Sequence, residues 1–262
     1  MGTAARSLVT EAAHDGIRTL TLDSPHNRNA LSTRLVAQLY DALERAGADD
    51  TVRAVLLTHT GSTFCAGADL AEASAAGAPA DAPLALARLL RTVVAFPKPV
   101  VARVTGHVRA GGTGLLAACD ISVAGPGATF AFTEARIGVA PAVISMTVLP
   151  RTDPRAMARY YLTGERFGPQ EAARTGLVTL AADDVDEVLE PVLDGLRRGS
   201  PQGLAESKRL VTREVLAAFD RDTGTLAELS ARLFASDEAR EGMTAFLERR
   251  EPEWAVRQTP AR

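Results

Sequence analysis

Cysteine is almost absent: Cys65 and Cys119 are the only two in 262 residues, each among small and apolar neighbours. A framework of disulfides is excluded, and both thiols are expected to be reduced and buried, in a cytoplasmic protein. Histidine is scarce as well. His14, His26, His59 and His107 stand apart from acids and cysteines, so no metal centre is expected. Neither sign of charge dominates, with 29 Lys and Arg against 32 Asp and Glu for a net charge of −3. That balance argues against a nucleic-acid partner, which needs a concentrated basic face. No apolar run approaches the roughly 18 residues of a membrane span, so no membrane partner is expected. The start, MGTAARSLVTEAAHDG, lacks the apolar core of a secretory signal.

What is present is a globular composition, 46% hydrophobic and 23% charged, long enough to bury a sizeable core. GIRTLTLD (16–23) alternates and reads as a strand paired with the preceding SLVT, and SPHNRNAL reads as a loop. From Ser32 the period becomes helical, Leu35, Leu39 and Leu43 falling four apart, with Gly47 expected to close the helix. VRAVLLTHT (52–60) has the apolar continuity of a strand buried on both faces. The stretch AEASAAGAPADAP (71–83) offers nothing to anchor a core and reads as a loop before a helix at 84–95. Pro97 and Pro99 force extended backbone into a second buried strand, and DISVAG gives another. Beyond Pro154 the pattern is largely helical, ending in two long helices from 201 onward. The pattern predicts a mixed α/β core over 1–195 and a helical part over 196–262.

Residues 106–120, GHVRAGGTGLLAACD, hold Gly111, Gly112 and Gly114. The run from Gly112 to Ala117 fits the dinucleotide-binding pattern GxGxxA, with Glu134 about twenty residues on. Two details oppose that reading. GHVRAG intervenes between the strand and the glycines, and the next strand starts near Asp120, too soon for a crossover helix. No lysine follows the glycines, so a phosphate-cradling loop is excluded too. FCAGADL (64–70) has the same small-residue character after another apolar strand. Two such segments are either tight turns in the packing or two N–H donors converging on one oxygen. If Gly111 opens a helix, its N–H gains from the helix dipole. Spacing alone leaves both readings open.

Five stretches resemble the crotonase family, the enoyl-CoA hydratases and isomerases: NRNALS (27–32), STFCAGADL (62–70), PKPVVARVTGHVRAGGTGLLAACDISVA (97–124), ATFAFTEARIGVAP (128–141) and YYLTGERFGPQEAARTGLV (160–178). The resemblance runs in the family's order along nearly the whole chain. It implies a spiral of β-β-α units, terminal helices that build homo-trimers or hexamers, and acyl-CoA thioester substrates with no separate cofactor. By resemblance, Ala66 and Gly111 match the positions whose N–H groups hold the thioester oxygen. Gly67, Ala68, Asp69 and Leu70 match the strip lining the CoA pocket, and Asn27 and Arg28 match a loop at its nucleotide end. Of the two glutamates of the family's hydratases, the second matches Glu134 and the first falls on Gly114, a position without a side chain.

One carboxylate leaves two chemistries: activating water for addition to a 2-enoyl-CoA, or moving a proton between C4 and C2 of a 3-enoyl-CoA. IGVAPAVIS (137–145) resembles a hydratase branch acting on branched, methylglutaconyl-type substrates, which favours hydration. A non-catalytic acyl-CoA-binding protein is the contrasting expectation. Read without the family, Glu134 is a surface acid or an ion-pair partner of Arg136. Arg109, just before the glycines, reads as a surface arginine or as a partner for a second carboxylate on the acyl group.

Overall fold

The computed structural model describes residues 7–73 and 81–255. Val9–His14 (β1) and Ile17–Leu22 (β2) pair antiparallel across Asp15-Gly16, both at positive φ (44° and 75°). Positive φ at both central residues is the hairpin geometry that matches strand twist. The later strands are Ala54–His59 (β3), Thr63–Cys65 (β4), Val100–Val104 (β5), His107–Arg109 (β6), Ile121–Ala124 (β7), Phe130–Ala131 (β8) and Leu180–Ala181 (β9). The helices are Thr33–Ala48 (α1), Leu70–Ala73 (α2), Ala82–Ala95 (α3), Gly111–Ala118 (α4), Ser145–Val148 (α5), Pro154–Thr163 (α6), Pro169–Arg174 (α7), Val185–Arg198 (α8), Pro201–Phe234 (α9) and Asp237–Glu248 (α10).

Two sheets form, in the orders β1-β2-β3-β5-β7-β9 and β4-β6-β8. Successive turns of the chain place one strand in each sheet before a helix, as β5, β6 and α4 do, which is the β-β-α spiral of the crotonase fold. The large sheet explains the apolar runs. On one face Ile17, Ala54, Val101 and Val123 pack under Val185, Leu189 and Leu193 of α8. On the other, Leu20, Val55, Val100 and Ala102 enter the main core. Strands covered on both sides need apolar residues at nearly every position.

α1 starts where expected, the Ser32 side chain accepting a hydrogen bond from the Leu35 N–H, with Leu35, Leu39 and Leu43 buried. Gly47 does not cap it. The helix runs to Ala48 and Asp49 caps it in extended conformation. A Cβ on Gly47 would stand 3.2 Å from the Phe96 ring, so this glycine makes room for Phe96. The expected loop at 71–83 lies mostly outside the described residues, and its two ends belong to α2 and α3. α9 reaches the main core through Val215, Ala218 and Phe219. Its buried Lys208 pairs with Asp120 at 2.8 Å and donates to the carbonyls of Val93 and Lys98. Cys65 and Cys119 are free and buried, their thiols pushed up to about 12 by desolvation. Among the described residues no helix is long and apolar enough to cross a membrane.

Candidate active site

The small sheet fixes the site. β4, β6 and β8 run parallel, with Cys65 opposite Val108 and Val108 opposite Phe130. The segments at 66–68, 110–111 and 132–134 therefore leave the sheet at one edge, the carboxyl ends of its strands, where parallel α/β sheets open a crevice for ligands. Both small-residue segments of the sequence converge there. Gly67 has φ 87°, and a Cβ on it would come within 2.8 Å of the Gly111 nitrogen. Only glycine allows that approach. Gly111 is the first residue of α4, so its N–H has no intrahelical partner and lies at the positive end of the helix. Ala110 before it holds φ 46° and ψ −125°, a strained conformation for a residue with a Cβ.

Hydrogen bonding separates the amides of the 66–68 loop. The Ala66 N–H donates to the Arg28 carbonyl at 3.1 Å, and the Gly67 N–H to the Cys65 sulfur at 3.5 Å. The Ala68 nitrogen instead lies 3.6 Å from where a Cβ on Gly111 would stand. The amide of this loop that faces Gly111 is therefore that of Ala68, while Ala66 is tied to the neighbouring turn.

Asn27 and Arg28 sit beside this loop. Asn27 Nδ2 donates to Asp69 Oδ2 at 3.2 Å, and the Leu31 N–H donates to the Gly67 carbonyl at 2.8 Å. Asp69 Oδ1 accepts from the amides of Ala71 and Glu72, so its side chain secures the start of α2. Leu70 packs in an apolar cluster with Ile137, Val139 and Met243, which connects the loop to the segment following Glu134. Gly114 is closed over: a Cβ there would stand 2.4 Å from Ile144 Cγ2 and 3.2 Å from Leu90 Cδ1. The place where a second glutamate would start is filled by isoleucine.

Glu134 begins a 3₁₀ turn, Glu134–Ile137, and is only 7% exposed. Arg136 does not pair with it, its Nε donating instead to the Thr163 carbonyl at 3.1 Å. Glu134 Oε2 is buried without a hydrogen-bond partner in the protein. Burial pushes the carboxyl up to about 7, against a smaller opposing effect of a backbone amide. Sequence reasoning missed one group here, Tyr161, whose ring centroid lies 4.6 Å from that of Phe132 and whose hydroxyl is also buried and unpartnered. No local signal marked it, since a tyrosine in YYL reads as helix core.

Arg109 is half-buried and donates to Val108 O and to both oxygens of Thr129. Desolvation and the nearby Arg166 lower it to about 10. His107 Nδ1 lies 3.0 Å from the same Thr129 hydroxyl. Among the described residues, no group of three or more His, Cys, Asp or Glu side chains is arranged to hold a metal ion.

A carboxyl that takes or gives a proton near pH 7, at a sheet edge lined by main-chain donors, suits proton transfer next to a carbonyl. The fold is that of the crotonase-type enzymes. The family model for enoyl-CoA hydratase/isomerase matches residues 12–257, and the chain belongs to that family. It superposes with a TM-score of 0.89 on an enoyl-CoA hydratase from Mycobacterium avium, 55% identical, over 96% of this chain and 100% of that one. The 2,3-dehydroadipyl-CoA hydratase of Escherichia coli is 31% identical over 91% of this chain and 94% of its own length. The 1,2-epoxyphenylacetyl-CoA isomerase of the same organism is 30% identical over 91% and 95%.

Proposed function

We propose that this enzyme adds water to a 2-enoyl-CoA thioester, with Glu134 as its single acid/base. The observation that carries the reading is the buried, unpaired Glu134 carboxyl, held near 7 at the same sheet edge as Gly111. In the ionised form Glu134 takes a proton from water as the water oxygen bonds to C3. The C2–C3 π electrons move toward the thioester, whose oxygen gains negative charge. The N–H groups of Gly111 and Ala68 hold that oxygen, the role the family resemblance gives to Ala66 passing to Ala68 because the Ala66 amide is engaged by Arg28. Glu134 then delivers its proton to C2, and the carboxylate is restored. Gly67, Asp69 and Leu70 line the pantetheine side, with Asn27 and Arg28 toward the nucleotide.

A second reading, the shift of a 3-enoyl-CoA double bond, draws on Ile144. With isoleucine over Gly114 there is one carboxyl, and a C4-to-C2 proton shuttle needs no other. The similarity to a hydratase at 31% and to an isomerase at 30% does not separate the two. The 55% identity to a hydratase favours hydration. Incubating the protein with crotonyl-CoA, 3-methylglutaconyl-CoA and a 3-enoyl-CoA decides between them. Loss of conjugated enoyl absorbance is expected. A rise from the 3-enoyl substrate selects isomerisation, release of free thiol selects hydrolysis, and no change with any substrate leaves only acyl-CoA binding.

A further inference from the structure

Glu134 Oε2 and Tyr161 Oη are in the same condition, each buried and each without a hydrogen-bond partner in the protein. They lie on elements packed together. Arg136, on the Glu134 turn, donates to Thr163 at the end of α6, and a Cβ on Gly164 would stand 2.7 Å from Arg136 Nε. The Tyr161 ring leans on Phe132, two residues before Glu134. Burial raises the Tyr161 phenol, and the Glu134 charge raises it further, so the two groups feel one another without being bonded. A buried polar group left without a partner forfeits the hydration it had in the unfolded chain. Two such groups on elements packed together call for a polar partner that the protein itself does not supply. Gly114 offers none, having no side chain and being covered by Ile144 and Leu90.

We propose that Tyr161 is a positioning residue of the hydration site, its hydroxyl and the Glu134 carboxyl together holding the water that reacts. This rests on the hydration reading above and supplies the second polar contact that Gly114 lacks. One water hydrogen points to Glu134, the Tyr161 hydroxyl fixes the oxygen from the side, and a lone pair remains for C3. Tyr161 keeps its proton throughout, and the only proton that moves is the one Glu134 takes from water and returns to C2. Of the charged groups around the turn, Arg136 is bonded to Thr163, and on α10 Arg240 pairs with Asp237 and Glu241 with Arg250, while Glu238 meets Gly138 through its backbone only.

The test compares wild type, Tyr161→Phe and a protein with 3-fluorotyrosine at 161 on a 2-enoyl-CoA that the wild type hydrates. Tyr161→Phe is expected to lower kcat about 10- to 100-fold with KM nearly unchanged, since misplacing a reacting group costs on this scale. It should also move the acid limb of kcat/KM upward, because a hydrogen bond relayed to the carboxylate favours its charged form. Fluorotyrosine keeps the ring and strengthens the donor, so it should move the same limb downward. A ring that only packs predicts neither shift. Wild-type hydration with both limbs unmoved overturns the inference alone. Wild type that hydrates no enoyl-CoA overturns the hydration reading and the inference with it.

Discussion

At the scale of single residues, Glu134 carries two consequences that are measured separately. Glu134→Gln removes the acid/base and is expected to lower kcat at least about 10²-fold while saturated acyl-CoA still binds. Activity within tenfold of wild type would remove Glu134 from the mechanism. The second consequence concerns stability. The carboxyl sits at about 7 in the fold against a usual 4.5, so between those values the folded state binds more protons than the unfolded state. Stability must therefore fall as pH rises through that window, by about 3 kcal/mol in all, and level off above it. Glutamine does not titrate. Relative to wild type, ligand-free Glu134→Gln should gain stability from pH 4.5 to 7, read by denaturant unfolding. A difference independent of pH would mean that the carboxyl is not buried as described. Gly114 gives a residue-scale prediction of the opposite kind. Gly114→Glu should not restore a two-carboxylate site, because its Cβ would collide with Ile144. Overpacking of this sort costs about 1–3 kcal/mol, and shortening the neighbour in Gly114→Glu/Ile144→Ala should recover part of the lost thermal stability.

At the scale of elements, the start of α4 combines strain with placement. Ala110 holds φ 46°, a conformation glycine adopts freely, and its methyl lies against Gly67. Ala110→Gly relieves roughly 1–3 kcal/mol of strain and loses up to about 1 kcal/mol through the unfolded chain. A net rise of about 2 °C in melting temperature is expected for a chain of this size. A lower melting temperature would show that the alanine methyl contributes more through packing than it costs in strain. Elements with a clear period were legible in the sequence. α1 announced itself through Ser32, Leu35, Leu39 and Leu43, and the two-sided burial of β3 and β5 through mostly apolar runs. β4, β6 and β8, at two or three residues each, are too short to show any period. Yet those three strands aim the site. The same limit explains why the resemblance assigned the donor to Ala66 and only pocket lining to Ala68: the bond from the Ala66 amide to the Arg28 carbonyl is visible only in the folded chain. Tyr161 was illegible for a related reason, since Phe132, which its ring meets, is distant in sequence and the two come together only in the folded chain.

At the scale of the whole molecule, the apolar residues of the last two helices divide into two groups. Leu226 packs against the main core and Leu233 against the cluster around Val139, so the chain itself uses them. Leu210 and Val211 on α9 and Phe246 and Leu247 on α10 remain outside, exposed at 75%, 74%, 52% and 51%. Single exposed leucines are ordinary on a soluble surface, but adjacent pairs on terminal helices are what a subunit contact would cover. The homo-trimer or hexamer that the family resemblance implies is expected in sedimentation at micromolar concentration, with these pairs in its contacts. Because Leu210 and Val211 take little part in the fold of one chain, Leu210→Asp/Val211→Asp should leave the circular dichroism spectrum unchanged while shifting the sedimenting species toward monomer. A double variant that sediments like wild type would move the contact elsewhere, and a wild type that is monomeric would leave these side chains as plain surface.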